Sequence, residues 1–171
     1  MELTTHFLYP SALFVSKEPH VVNTILGSCV AVCLYDNVGR IGGINHYMLP
    51  MWNGQGLASP KYGNIAIPRL IDKMLEMGSN QKHLKAKIFG GANIFESNLE
   101  QFQIGGRNIA VAEQMLSEYN IPIISCSVGG SNGRRIQFNS YNGEVRQKII
   151  EKKSHEEMAV KQMVCKARGP V

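Results

Sequence analysis

The sequence predicts a single layered domain of the α/β or α+β class, with a mixed, largely antiparallel sheet and at least two helices. Short β-branched, apolar runs recur along the chain between turn signals, and two pairs of them are joined by hairpin-type turns. Two intervening stretches carry apolar residues at helical spacing. The chain has 171 residues, 44% of them hydrophobic, which is material for one sizeable core.

The first 20 residues read as an irregular lead-in with a short apolar run, Ala12 to Val15, broken at Pro19. An extended run from Val21 to Ser28 follows, then Cys29 to Asp36, which is apolar and β-branched. Asn37-Val38-Gly39-Arg40 is a turn signal, and Ile41 to Leu49 returns as a third run, so residues 23–50 read as a β-hairpin. Residues 50–63 form a Gly/Pro/polar loop. Ile67, Leu70, Ile71, Met74 and Leu75 then fall on one helical face, with Pro68 expected in the first turn and Gly78 just past the end. Leu84–Phe89 is a strand closed by Gly90-Gly91. Asn108 is the expected N-cap of a second helix that places Ile109, Ala112, Leu116 and Tyr119 together. Ile121–Ser127 is a strand ended by Gly129-Gly130, and Asn142-Gly143 marks a hairpin between 135–141 and 144–150. The domain is therefore assigned to residues 1–150. Residues 151–171, with five Lys/Arg and three Asp/Glu, change character and read as a tail.

A net charge of +5 invites acidic partners. The basic residues are scattered, without the Lys/Arg stripe and interleaved aromatics of a nucleic-acid surface, so no nucleic acid is expected. No apolar run reaches the ~18 residues of a membrane span, and the first six residues lack a signal-peptide pattern. The expectation is a cytoplasmic chain without membrane insertion. Its four cysteines, at 29, 33, 126 and 165, are then expected as free thiols.

The hairpin places chemistry together. With its turn centred on Val38-Gly39, Cys29 opposes Met48 and Ala31 opposes His46. Cys29, Ala31 and Cys33 then share a face with Ile44, His46 and Met48, and Cys29 and His46 become diagonal neighbours. A thiol beside an imidazole is equipment for nucleophilic acyl chemistry, with the amide of Cys29 able to donate to an oxyanion. The same pair is also compatible with a structural thiol and a core histidine. A zinc site is disfavoured, because Cys29 and Cys33 lie about 13 Å apart along a strand at ~3.3 Å per residue.

Thr24 to Asp36, followed by His46-Tyr47-Met48-Leu49-Pro50, resembles the CheD family of chemoreceptor glutamine deamidases. Lys87 to Phe95, Ile104 to Asn108, Gly129 to Arg134 and the Gly143-Glu144-Val145 turn extend the likeness over about residues 20–150. The resemblance implies a three-layer α/β fold related to the catalytic domain of cytotoxic necrotizing factor toxins. It implies hydrolysis of receptor glutamine side chains, with Cys29 as nucleophile, His46 as acid and base, and a threonine, here Thr24, as the third residue. No metal or organic cofactor is implied. The implied partners are chemoreceptor cytoplasmic domains and a CheC-type phosphatase. Strand parity points instead to Asn23 on the face of Cys29, whereas a bulge at Gly27 would bring Thr24 round. Ser127 departs from the family, which places an acidic residue there.

Other residues carry weaker signals. Trp52 serves either substrate or fold, Arg107 and Arg134 either a carboxylate or local capping and surface pairs. Cys33 and Cys126 are expected to be buried and Cys165 exposed. Met74 and Met77 are expected to pack the first helix. No partners are assigned to His6, His20, His83 or His155.

Overall fold

The computed structural model describes residues 2–94 and 103–151. The tail from residue 152, with Cys165 and His155, and Phe95 of the resemblance motif lie outside the described residues. Nine strands and two α-helices are described: β1 (Thr4–Phe7), β2 (Leu13–Ser16), β3 (His20–Leu26), β4 (Val30–Asp36), β5 (Ile41–Asn45), α1 (Gly63–Glu76), β6 (Leu84–Gly90), α2 (Ile104–Glu118), β7 (Ile123–Val128), β8 (Gly133–Asn139) and β9 (Val145–Ile150).

The strands form two sheets rather than the one expected. The first has order β1-β3-β8-β9, the second β2-β5-β4-β6-β7. Both are mixed and largely antiparallel: β1 runs parallel to β3 and β6 parallel to β7, and every other pairing is antiparallel. The lead-in is not irregular. It supplies β1 and β2, one to each sheet, as four-residue edge strands too short for periodicity to reveal.

Alternation along β4 sets the layering. Val30, Val32 and Leu34 face the helices and pack with Ile67, Leu70, Ile71 and Met74 of α1 and Val111, Ala112 and Leu116 of α2. Ala31 and Cys33 face the opposite way, against Val22 and Leu26 of β3 and Ile136 and Phe138 of β8. The five-stranded sheet is thus covered on both faces, and β4 is apolar from Val30 to Leu34 for that reason. Each fully buried aliphatic side chain contributes about 1.5–3 kcal/mol.

The β4–β5 register agrees with the sequence reading: Cys33 pairs with Ile44, Asp36 with Ile41, and an isolated bridge joins Val30 to Tyr47. Three expectations change. α1 begins at Gly63, so Pro68 lies inside it rather than in its first turn. Gly63 and Asn64 carry no apolar side chain and are invisible to hydrophobic periodicity. α2 begins at Ile104, which puts Asn108 inside the helix and buries it completely. Cys126 is exposed rather than buried, because β7 is an edge strand. Cys33 is buried between the sheets, and Met74 and Met77 pack in the helix-side core, as expected.

Candidate active site

β3 belongs to the four-stranded sheet and β4 to the five-stranded sheet, so Gly27-Ser28-Cys29 is the corner where the chain passes between them. Every carbonyl of this corner is held. Ala92 N–H donates to Gly27 O (2.9 Å), Asn108 Nδ2 to Ser28 O (2.9 Å) and Gly91 N–H to Cys29 O (2.8 Å). The amides of Ser28 and Cys29 donate to no other residue among the described residues. The corner therefore presents two N–H donors that no other described residue takes, beside a half-buried thiol.

The Gly90-Gly91 pair at the end of β6 makes this possible. Gly90 has φ +104°, and a Cβ there would sit 2.2 Å from Cys29 O. Arg134 secures the same stretch from behind. It is buried, and its guanidinium donates to Gly90 O (3.2 Å), Gly129 O (2.8 Å) and Ser127 Oγ (3.3 Å). This guanidinium is a brace on main-chain oxygens. Ser127 also accepts from Gln147 Nε2 (3.0 Å), so it links β7 to β9. Arg107 lies on the exposed side of α2.

Asn108, expected as a cap, lies inside α2 and braces the corner. Its Nδ2 donates both to Ser28 O and to Met48 O (3.0 Å), tying the corner to the residue opposite Cys29. Its own carbonyl accepts from the Tyr47 hydroxyl. The helix reaches this close because Gly105 has no Cβ; one there would meet Ala92 O and Gly91 O at 2.5 Å. A readable signal existed: Asn108, Ala112 and Leu116 share one helical stripe, and an asparagine on a core-facing stripe needs partners.

His46 lies just past β5 and is 2% exposed. Its Nδ1 is 2.7 Å from Thr24 Oγ1, and the Thr24 hydroxyl donates to Leu8 O at 2.8 Å. Nε2 is buried and has no hydrogen-bond partner among the described residues. The structure therefore brings Thr24, and not Asn23, to His46. Asn23 turns outward, where its Oδ1 accepts from Gln137 Nε2 (2.9 Å). Parity along one strand does not carry through the corner, because β3 and β4 lie in facing sheets. Thr24 points inward from the first sheet toward the face of the second that carries His46.

Burial pushes the His46 pKa down to about 4, so the ring is neutral at pH 7. Burial likewise pushes the Cys29 thiol up, partly offset by its own backbone N–H. The resting pair is a thiol and a neutral imidazole rather than an ion pair. Such a pair can pass the thiol proton to Nε2 as sulfur attacks an acyl carbon.

The remaining expected residues lie outside this cluster. Trp52 anchors its own loop, with Nε1 donating to Gln55 O (2.9 Å). His6 stacks on Phe14, His20 bonds Ser16 and Glu18 O, and His83 lies 3.7 Å from Asp36. Among the described residues no three His, Cys, Asp or Glu side chains gather in a way that would hold a metal ion, and no helix is long and apolar enough to cross a membrane.

This α/β domain thus places Cys29 at the corner between its sheets and the buried His46 diagonal to it in the hairpin register. Comparison with known proteins agrees with the resemblance read from the motifs. The family model of CheD chemotactic sensory transduction matches residues 48–149. A protein of Sulfurimonas denitrificans named "Probable chemoreceptor glutamine deamidase CheD" is 46% identical over 153 residues, covering 89% of this chain and 98% of that one. A protein of Trichlorobacter lovleyi with the same name is 47% identical over 140 residues, covering 82% and 87%. The chain belongs to the CheD family. Among solved structures, the Bacillus licheniformis hypothetical protein YfiH superimposes with a TM-score of 0.49 at 19% identity, over 70% of this chain and 51% of that one.

Proposed function

We propose that this chain is a protein-glutamine deamidase, an amidohydrolase that converts specific glutamines of chemotaxis receptors to glutamate through a thioester on Cys29. One observation carries the reading: a buried His46 with Nδ1 engaged by Thr24 and Nε2 without a partner among the described residues, one diagonal step in the hairpin register from Cys29. The names of the relatives supply the substrate class.

The steps follow from the groups present. As the Cys29 sulfur attacks the side-chain amide carbon, its proton passes to His46 Nε2. The carbonyl electrons move onto oxygen, beside the amides of Ser28 and Cys29. The C–N bond breaks, and nitrogen takes the proton from Nε2 to leave as ammonia. Water then gives a proton to Nε2 and attacks the thioester; the C–S bond breaks, and sulfur regains the proton. No metal or organic cofactor takes part.

In this reading residues 1–150 form the deamidase domain and 151–171 a tail, and the protein works in the cytoplasm, where the receptor domains lie. Kinship with the catalytic domain of cytotoxic necrotizing factor toxins and binding of a CheC-type phosphatase rest on the motif resemblance. Receptor cytoplasmic fragments incubated with the protein should show glutamine-to-glutamate mass shifts, absent with Cys29→Ala. Receptor binding without any shift would favour a chemotaxis interaction protein instead.

A further inference from the structure

Thr24 is the residue in contact with His46, but a threonine hydroxyl has no fixed preference. It can accept from an imidazole N–H or donate to an imidazole nitrogen. If it donated to Nδ1, the ring proton would sit on Nε2, and nothing would remain to take the thiol proton. A main-chain carbonyl has no such freedom, because it only accepts. Thr24 Oγ1 lies 2.8 Å from Leu8 O and 2.7 Å from His46 Nδ1. Its single proton is committed to Leu8, so its lone pair receives Nδ1–H, and the lone pair of the ring stays on Nε2, the nitrogen without a partner among the described residues.

We infer that the main-chain carbonyl of Leu8 selects the tautomer of His46, which makes the segment 8–12 a positioning element of the site; the catalytic meaning of this rests on the function proposed above. Three further observations support it. Leu8, Thr24 and His46 are at most 2% exposed, so water does not substitute for the carbonyl. Leu8 is itself fixed, its N–H donating to Asn23 O at 2.8 Å. The same segment also grips the main chain of His46: Ser11 N–H donates to His46 O (2.8 Å), and His46 N–H donates to Ala12 O (3.2 Å). The turn that does this is closed by Ala12 N–H on Tyr9 O (3.2 Å), with Pro10 and a left-handed Ser11 (φ +68°) at its centre.

The carbonyl can be weakened without touching a side chain. A synthetic thioester of residues 1–28 is ligated to residues 29–171 at the natural Cys29, and the chain is refolded. In the synthetic piece the α-hydroxy acid analogue of tyrosine replaces Tyr9, so the Leu8 carbonyl becomes an ester carbonyl, a poorer acceptor. The Tyr9 amide donates no hydrogen bond among the described residues, so no donor is lost. Thr24→Val is the recombinant companion and Thr24→Ser the conservative control. The readouts are nitrogen NMR of the His46 ring and the separate values of kcat and KM. Expected are Nδ1–H alone in the unmodified chain and in Thr24→Ser, and a new Nε2–H population in the ester chain and in Thr24→Val. For the ester, kcat should fall about tenfold with KM little changed, the effect of one weakened hydrogen bond. Nδ1–H alone in both modified chains would overturn the inference, whether or not kcat falls. The tautomer is read on the free protein. A tautomer shift in a chain that deamidates nothing would therefore uphold the selection by Leu8 and defeat only the proposed function.

Discussion

Burying His46 as a neutral ring should make the protein acid-sensitive in a way one substitution can isolate. The folded pKa of His46 is pushed down to about 4 by burial, against an ordinary histidine value of 6.5. Between these values the unfolded chain binds a proton that the folded chain does not, so stability is present above pH 6.5 and is lost as pH falls toward 4. At about 1.4 kcal/mol per pH unit, the loss between pH 7 and pH 4 is about 3 kcal/mol, undiminished by solvent screening because the side chain is 2% exposed. His46→Gln removes the titrating group and keeps a polar side chain facing Thr24. Urea unfolding of both proteins, followed by far-UV circular dichroism from pH 7 to pH 4, should show the stability difference shifting by about 3 kcal/mol in favour of the variant at the acid end. All other titrating groups are common to both chains and cancel in the difference. Parallel curves across this range would refute a neutral, buried His46.

Four further outcomes are expected. Cys29→Ala should abolish deamidation with little change in melting temperature, whereas Cys33→Ala should keep activity and lose about 1 kcal/mol from the inter-sheet core, read by thermal and activity assays. Alkylation of Cys29 by iodoacetamide should rise steadily through neutral pH toward a midpoint above that of a free thiol, since burial raises its pKa; a reactive plateau from pH 5 to 8 would reveal a thiolate–imidazolium pair instead. Asn108→Ala strips donors from Ser28 O and Met48 O and should cost about 2–3 kcal/mol of stability as well as turnover, measured by denaturation and by kcat. Thr24→Ala should cut turnover far more than Asn23→Ala, because only Thr24 touches His46; the reverse order would restore Asn23 to the site.

What the sequence carried by itself was whatever local rules decide. The turn at Val38-Gly39 determines which residues of β4 and β5 face each other, and the opposed pairs match those counted from the turn. The juxtaposition of Cys29 and His46 was legible for that reason, as were the alternation of β4, the closing hairpin at Asn142-Gly143 and the stop of α1 before Gly78. The one-sheet expectation failed because nothing local tells a strand which sheet it joins. Gly27-Ser28-Cys29 reads equally well as a bulge in a continuing strand or as a corner between layers, and only the packing of Leu26, Ile136 and Phe138 against Ala31, Cys33 and Ile44 makes it a corner. The choice between Thr24 and Asn23 depended on that, since parity holds within a sheet and lapses across two. The partners of Asn108 and the part played by the Leu8 carbonyl were out of reach for a related reason. Their roles are hydrogen bonds to groups 80 and 16 residues away in the chain, and a donor's or acceptor's distant partner is set by the three-dimensional packing of the layers rather than by its sequence neighbours.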